Sequence, residues 1–316
     1  MKDFQKKIRF FRKLFPTAEF LVIPAILVSI LFLLVVLDIF IKGRNFLIAT
    51  TSLSTSTFKT KDIPILKNKY EPAITARAAL VIDKDTGAVL YSRNLNLRFS
   101  PASTAKIMTA TIGLEHYKLG DMLEVKEKMN EGSVLGLFKG QKLTFENLLY
   151  AMMLPSANDA AFVIAQNYPD GFKKFVDKMN EKASELNLPN THFEDPAGLI
   201  DENDYTTASE LARLASYALN NKYFAKVVST PAKLITDNLG NSYFIFNKNK
   251  LLGIDGVNGV KTGFTEEAGD VLVTSKETRG HTIIIVVLKS QDRFADTYEL
   301  LNLVKSDNVT YLSIHP

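Results

Sequence analysis

The stretch Phe99-Ser100-Pro101-Ala102-Ser103-Thr104-Ala105-Lys106-Ile107-Met108-Thr109-Ala110 sets a hydroxyl and an amine three residues apart at the start of a helix. Pro101 disfavours the α region for Ser100, so the helix begins after it. Apolar residues then recur at Ala102, Ile107, Ala110 and Leu114, the spacing of a helix with one face in a core. Residues three apart share a face, with β-carbons about 5–6 Å apart. Ser103 and Lys106 therefore point the same way. A serine hydroxyl is a poor nucleophile until a base lies within hydrogen-bond reach. A lysine serves as that base only when burial or nearby positive charge lowers its pKa from about 10.4. Alone, Ser-x-x-Lys is a common tetrad, equally suited to a buried hydroxyl beside a solvated lysine.

The chain has 316 residues, enough for one large domain or two ordinary ones. It contains no Cys, which excludes a disulfide framework and thiolate chemistry and fits an extracellular domain. His116, His192, His281 and His315 are far apart and form no metal-ligand pattern, so no metal is expected. The net charge of +4 is unevenly placed: residues 1–44 hold eight Lys/Arg against three acids, and the remainder 30 basic against 31 acidic residues. The basic balance thus belongs to a tail, and no nucleic-acid-binding surface is expected.

Phe20 to Leu37 is an 18-residue run without charge, extended by Asp38-Ile39-Phe40-Ile41 to residues 20–41. As helix that length matches a bilayer core of about 30 Å. Lys2, Lys6, Lys7, Arg9, Arg12 and Lys13 precede it, and only Lys42 and Arg44 follow closely. The expectation is an N-terminal transmembrane helix in contact with the lipid bilayer. The chain is then a single-pass protein of a bacterial cytoplasmic membrane, with its N-terminus inside and the rest on the extracellular or periplasmic side. The expected divisions are tail and anchor over 1–44, a polar linker over 45–75, a folded domain over 76–306 and a short tail over 307–316.

Within the domain, Ala78 to Ile82 and Ala88 to Tyr91 flank an Asp/Gly-rich turn and read as a hairpin. Thr144 caps a helix ending near Leu154, before Pro155. Gly171 to Leu186 is amphipathic, and Thr207-x-x-Glu210 is a capping box. After about residue 225 the pattern turns to strands at 243–246, 259–262, 269–275 and 282–288, with a closing helix over 294–304. Ile283 to Leu288 is continuously apolar, the mark of a strand covered on both faces. The reading is α/β (α+β): a sheet assembled from both ends of the domain, with a mostly helical insert.

Ser103-Thr104-Ala105-Lys106, Ser156-Ala157-Asn158 and Lys261-Thr262-Gly263 occur in that order, the set found in penicillin-binding proteins and class A β-lactamases. The surrounding text, Ala151 to Ala161, Thr191 to Leu199 and Gly259 to Thr265, resembles the low-molecular-weight D-alanyl-D-alanine carboxypeptidase family. The resemblance spans residues 74–306. It implies a β-lactamase/penicillin-binding-protein-like fold, an antiparallel sheet flanked by helices with a helical subdomain. It also implies removal of the terminal D-alanine from peptidoglycan stem peptides ending in D-Ala-D-Ala, through an acyl-enzyme, without a cofactor. β-Lactams are the implied covalent inhibitors. No Glu-x-x-Leu-Asn segment is present, so efficient β-lactam hydrolysis is not expected.

Carried onto this chain, the resemblance makes Ser103 the nucleophile and Lys106 its base, with Lys261 helping to depress the Lys106 pKa. Ser156 relays a proton to the leaving amine, and Asn158 holds Lys106 and the substrate amide. Lys261 and Thr262 take the terminal carboxylate, and Gly263 removes bulk beside the substrate. The backbone N–H groups of Ser103 and Phe264 form the oxyanion hole. His192, Glu194 and Arg213 are read as structural. The competing readings are an endopeptidase acting on cross-linked peptidoglycan, a β-lactamase or esterase, and a non-catalytic peptidoglycan-binding, division-associated protein.

Overall fold

A computed structural model describes residues 5–6, 9–10, 31–34, 36–37, 62–200 and 203–312. Its centre is a five-stranded antiparallel sheet made from β2 (Ala78–Asp83), β3 (Val89–Arg93), β8 (Val257–Thr265), β9 (Gly269–Thr278) and β10 (His281–Ser290). The strand order is β3-β2-β10-β9-β8. The apolar run Ile283 to Leu288 lies in β10, at the middle of that order, and each of its six side chains is fully buried. Alternation along the strand explains the unbroken hydrophobicity. Ile284, Val286 and Leu288 join a core that includes most of the helices, while Ile283, Ile285 and Val287 face Leu300, Leu301 and Leu303. Those leucines belong to α7 (Arg293–Leu303), whose N-cap Asp292 accepts from the N–H groups of Phe294 and Ala295.

Between β3 and β8 the chain is mainly helical. The turn Ala102–Ala105 is 3₁₀ and leads directly into α1 (Lys106–His116). Next come two short paired strands, β4 (Met122–Glu124) and β5 (Lys142–Thr144), and α2 (Phe145–Met153). Thr144 caps α2 by accepting from Asn147 N–H, as its position foretold. Then follow α3 (Asn158–Asn167), α4 (Gly171–Glu185), α5 (Ala208–Leu219) and α6 (Lys222–Val228). At α5, Thr207 Oγ1 accepts from Glu210 N–H, but the Glu210 carboxylate turns instead to Asn190 N–H and Thr191 Oγ1. The capping box is thus half formed, and its acid ties down the 190–191 turn. A hairpin of β6 (Ala232–Thr236) and β7 (Ser242–Phe246) returns the chain to the sheet.

Part of the segment read as linker packs on this domain. β1 (Ile63–Leu66) pairs antiparallel with β11 (Val309–Leu312), joining residues about 240 positions apart. Thr75 N–H and Oγ1 both donate to the buried Asp296 carboxylate. Neither strand is long or apolar enough to announce itself, because each is completed by a distant partner.

The expected transmembrane helix over 20–41 requires correction, and with it the bilayer contact and the single-pass membrane placement. Among the described residues no helix is long and apolar enough to cross a membrane. Of that segment, residues 31–34, 36 and 37 are helical and exposed, and the rest lies outside the described residues. An apolar composition meets the requirement for insertion, but spanning needs about 20 continuous helical residues. The described part supplies about 9 Å.

Candidate active site

The seam between the sheet and the helical half holds the polar residues singled out by sequence. Ser103 sits in the 3₁₀ turn, where residues three apart eclipse one another. Lys106 begins α1 one turn later, and its Nζ lies 2.8 Å from Ser103 Oγ. Nζ also donates to Asn158 Oδ1 at 2.7 Å and to the Ala197 carbonyl at 2.8 Å. Lys106 is fully buried. Burial is the main reason its pKa falls from 10.5 to about 7; the Lys248 charge pushes the same way, and Asp195 and Asp159 oppose it. At neutral pH the side chain can therefore carry or release a proton, as a general base requires.

Asn158 opens α3, and its amide orientation is fixed from both ends. Nδ2 donates to the Glu131 carbonyl at 2.8 Å, which leaves Oδ1 facing Lys106. Ser156 precedes it, buried and with φ of 67°, a conformation that costs a non-glycine residue of order 1 kcal/mol or more. That backbone turn brings Pro155-Ser156-Ala157 between α2 and α3 rather than continuing either helix.

β8 forms the opposite wall. Lys261 and Thr262 are buried in it, and Lys261 Nζ donates to the Thr262 carbonyl at 2.9 Å. Gly263 touches the nucleophile turn so closely that an added β-carbon would lie 3.1 Å from Ser103 N and 3.3 Å from the Pro101 carbonyl. The neighbouring Phe264 is exposed. The Lys261 pKa is driven well below 10.5, first by burial, then by Lys106, Lys248 and Arg293. The sequence reading had Lys261 depressing Lys106. The structure assigns that depression to burial and Lys248, and the repulsion between the two lysines falls on Lys261.

Several members of the site were not singled out by sequence. Lys248 follows β7 and donates to Ser133 Oγ at 2.8 Å. In the text Asn247-Lys248-Asn249-Lys250 it reads as a surface charge run. Arg293, at the start of α7, donates to the Gly263 carbonyl at 2.7 Å and to Asp270 Oδ1 at 2.9 Å, while its Nε is buried with no partner among the described residues. The Ala197 carbonyl has no signature at all. Conversely, His192 pairs with Glu194 at the surface and Arg213 donates to the Asn187 carbonyl, in keeping with structural roles. Among the described residues no group of three or more His, Asp or Glu is placed to hold a metal ion.

Chemically, the arrangement offers a hydroxyl beside a deprotonatable amine, with a cluster of cations along one wall suited to a carboxylate. Known proteins share this framework. A D-alanyl-D-alanine carboxypeptidase family model matches residues 66–292. The chain is 35% identical over 257 residues to a D-alanyl-D-alanine carboxypeptidase of Streptomyces sp. K15, covering 73% of this chain and 88% of the relative. It is 33% identical to D-alanyl-D-alanine carboxypeptidase DacF of Bacillus subtilis, covering 78% of this chain and 66% of the relative. It is also 33% identical to a D-alanyl-D-alanine endopeptidase of Pseudomonas aeruginosa, covering 75% and 79%. The crystal structure of the Streptomyces K15 DD-transpeptidase superposes with a TM-score of 0.71 at 33% identity, covering 74% of this chain and 98% of that one. The motifs, the sheet with its helical half and these matches agree, and the chain belongs to the D-alanyl-D-alanine carboxypeptidase family.

Proposed function

We propose that the protein is a serine-type D-alanyl-D-alanine carboxypeptidase acting on peptidoglycan stem peptides, with Ser103 as nucleophile and Lys106 as general base. The observation that carries this reading is the 2.8 Å approach of a fully buried Lys106 Nζ to Ser103 Oγ. A neutral amine has two N–H donors and one lone pair. Asn158 Oδ1 and the Ala197 carbonyl are acceptors only, so they take both N–H groups and leave the lone pair for the Ser103 hydroxyl.

In the proposed reaction Ser103 Oγ attacks the carbonyl carbon of the penultimate D-alanine, and its proton passes to Lys106. The backbone N–H groups of Ser103 and Phe264 take the developing oxyanion; the close approach of Gly263 to Ser103 N supports their meeting at one point. The C–N bond breaks as Ser156 passes a proton from Lys106 to the leaving amine, and D-alanine departs. Water then attacks the ester and regenerates Ser103. Lys261, Thr262 and Gly263 line the place of the terminal residue, with Lys248 and Arg293 adding positive charge. An arriving carboxylate favours the charged form of Lys261, reversing its depression. β-Lactams acylate the same serine in this account.

The test is D-alanine release from a pentapeptide ending in D-Ala-D-Ala, run beside its C-terminal amide. Release from the free acid, lost in the amide, supports the reading; equal release from both contradicts the role given to the Lys261 wall. A cross-linked dimer in the same series separates this activity from that named for the Pseudomonas relative, which needs room for a longer leaving group.

A further inference from the structure

Of the two acceptors of Lys106, the Ala197 carbonyl belongs to a loop and Asn158 opens α3 but is held by a loop, and each of these loops is gathered onto a buried aspartate. Asp195 is 1% exposed. Its Oδ1 accepts from the N–H groups of Ala197 at 2.6 Å and Gly198 at 2.8 Å, and its Oδ2 from Leu199 at 2.8 Å and Ile200 at 2.9 Å. Four successive N–H groups drawn onto one carboxylate turn the intervening carbonyls outward, and the Ala197 carbonyl is the one that meets Lys106 Nζ. The turn lies against the nucleophile segment with no room to spare. A β-carbon at Gly198, whose φ is +73°, would fall 2.0 Å from the Ala102 carbonyl oxygen. The Pro196 carbonyl is held in turn by Thr109 Oγ1 of α1 at 2.6 Å.

Asp159, also 1% exposed, repeats this arrangement on the other side. Its carboxylate accepts from the N–H groups of Leu135, Gly136 and Leu137 at 2.8–3.0 Å and from Ala160 N–H at 3.0 Å. The chain just before those residues carries the two carbonyls that hold Asn158: Glu131 accepts from Nδ2 at 2.8 Å, and Ser133 accepts from the Asn158 backbone N–H at 2.6 Å. Held there at Nδ2, the Asn158 amide keeps Oδ1 toward the Lys106 amine.

We propose that Asp195 and Asp159 are the positioning residues of the Lys106 amine, each fixing one of its two acceptor oxygens through a loop wound around a buried carboxylate. This deepens the reading above and rests on Lys106 being the base for Ser103. Neither carboxylate hydrogen-bonds to Lys106; both act on it through backbone and through charge. The charged groups facing Lys106 are Asp195 and Asp159, which favour its ammonium form, and Lys248 and Lys261, which stand on the cationic side of the site. Replacing either aspartate by asparagine has two separable effects. An NH₂ group now faces N–H groups, so part of the knot is lost and the acceptor carbonyl shifts. The loss of negative charge also disfavours the ammonium form, so Lys106 gives up its proton at lower pH.

The experiment measures acylation of the full chain by benzylpenicillin as a function of pH, for wild type, Asp195→Asn and Asp159→Asn, with folding checked by circular dichroism. The expected result is a maximal rate about 10–100-fold lower in each variant. The acid limb of the profile moves to lower pH by about half a unit or more, further for Asp195→Asn. A lowered rate with an unmoved limb assigns the aspartates to general stability and overturns the proposal, as does an unchanged profile. If Asp195→Asn does not fold, Asp159→Asn decides; if neither folds, the carboxylates support the domain rather than the lysine, and the proposal fails. Lys106→Ala separates this from the reading beneath it. Undiminished acylation in that variant removes Lys106 as base, whereas its loss together with unmoved limbs in the aspartate variants removes only the positioning roles.

Discussion

The two faces of the central sheet bury different things. Toward α7, the side chains of Ala79, Val81, Ile283, Ile285 and Val287 meet leucines, and the charges buried there each have a partner: Lys276 pairs with Asp255, Asp83 with His281, and Asp296 accepts from Thr75 and Ser290. Toward the helical half, the same strands also back a comparable apolar core, but beside it stand Lys106, Lys261, Asn158, Asp159 and Asp195, all nearly or fully buried. Burying an apolar side chain contributes about 1.5–3 kcal/mol. Burying an ionisable one costs free energy unless it is paired, and the group commonly neutralises instead. The α7 face thus holds the domain together with its one buried amine salt-bridged, while the opposite face gives up stability to hold Lys106 and Lys261 in a state that water would not allow.

The largest effect expected from this contrast is at Ser103. Ser103→Ala removes the nucleophile, so acylation and D-alanine release fall by about 10⁴-fold or more, while the melting temperature stays within a few degrees of wild type. Time-resolved intact mass and thermal unfolding measure the two. Next is Lys261→Met, which deletes a buried amine whose recorded hydrogen bond goes to the neighbouring carbonyl. Losing a partner for a desolvated carboxylate costs about 2–5 kcal/mol, so kcat/KM on a D-Ala-D-Ala peptide drops about 30-fold or more. Stability is expected not to fall, since an apolar side chain of similar volume often replaces a buried charge without loss. A large decrease in melting temperature would break the division between the two faces.

Solution pH gives a smaller and graded effect. The base form of Lys106 is depleted below about 7, so acylation falls about tenfold for each pH unit below that value. The same depression has a stability consequence of defined sign. Between about 7 and 10.5 the unfolded chain binds the lysine proton and the folded chain does not. Stability therefore rises with pH across that window, and the Lys261 depression acts in the same direction. Denaturant melts at pH 7 and 9.5 check this; a decrease with pH contradicts it. The smallest effect on activity is expected on the α7 face. Ile285→Ala destabilises by about 2–5 kcal/mol yet leaves the acylation rate of the folded enzyme unchanged.

What the sequence made legible follows the same division. The continuous apolar run Ile283 to Leu288, the Thr144 cap and the three-residue spacing of Ser103 and Lys106 are local patterns, and local geometry preserves them. The motif residues at Ser156, Asn158 and Lys261 were legible through their order and resemblance. Less visible was everything that depends on two distant pieces meeting. β1 and β11 complete each other across the chain. Lys248 and Arg293 reach the site from segments whose own text suggests only surface charge. The Ala197 carbonyl meets Lys106 by backbone position alone, and no side chain announces it. The apolar run at 20–41 shows the opposite failure, since composition alone does not establish a continuous spanning helix.

The most direct test of the account is peptide mapping after incubation with benzylpenicillin, with the adduct followed over time. The account predicts one covalent adduct, on Ser103, absent from Ser103→Ala. An adduct mapped to another residue, or none on correctly folded protein that also releases no D-alanine from a pentapeptide, would contradict it.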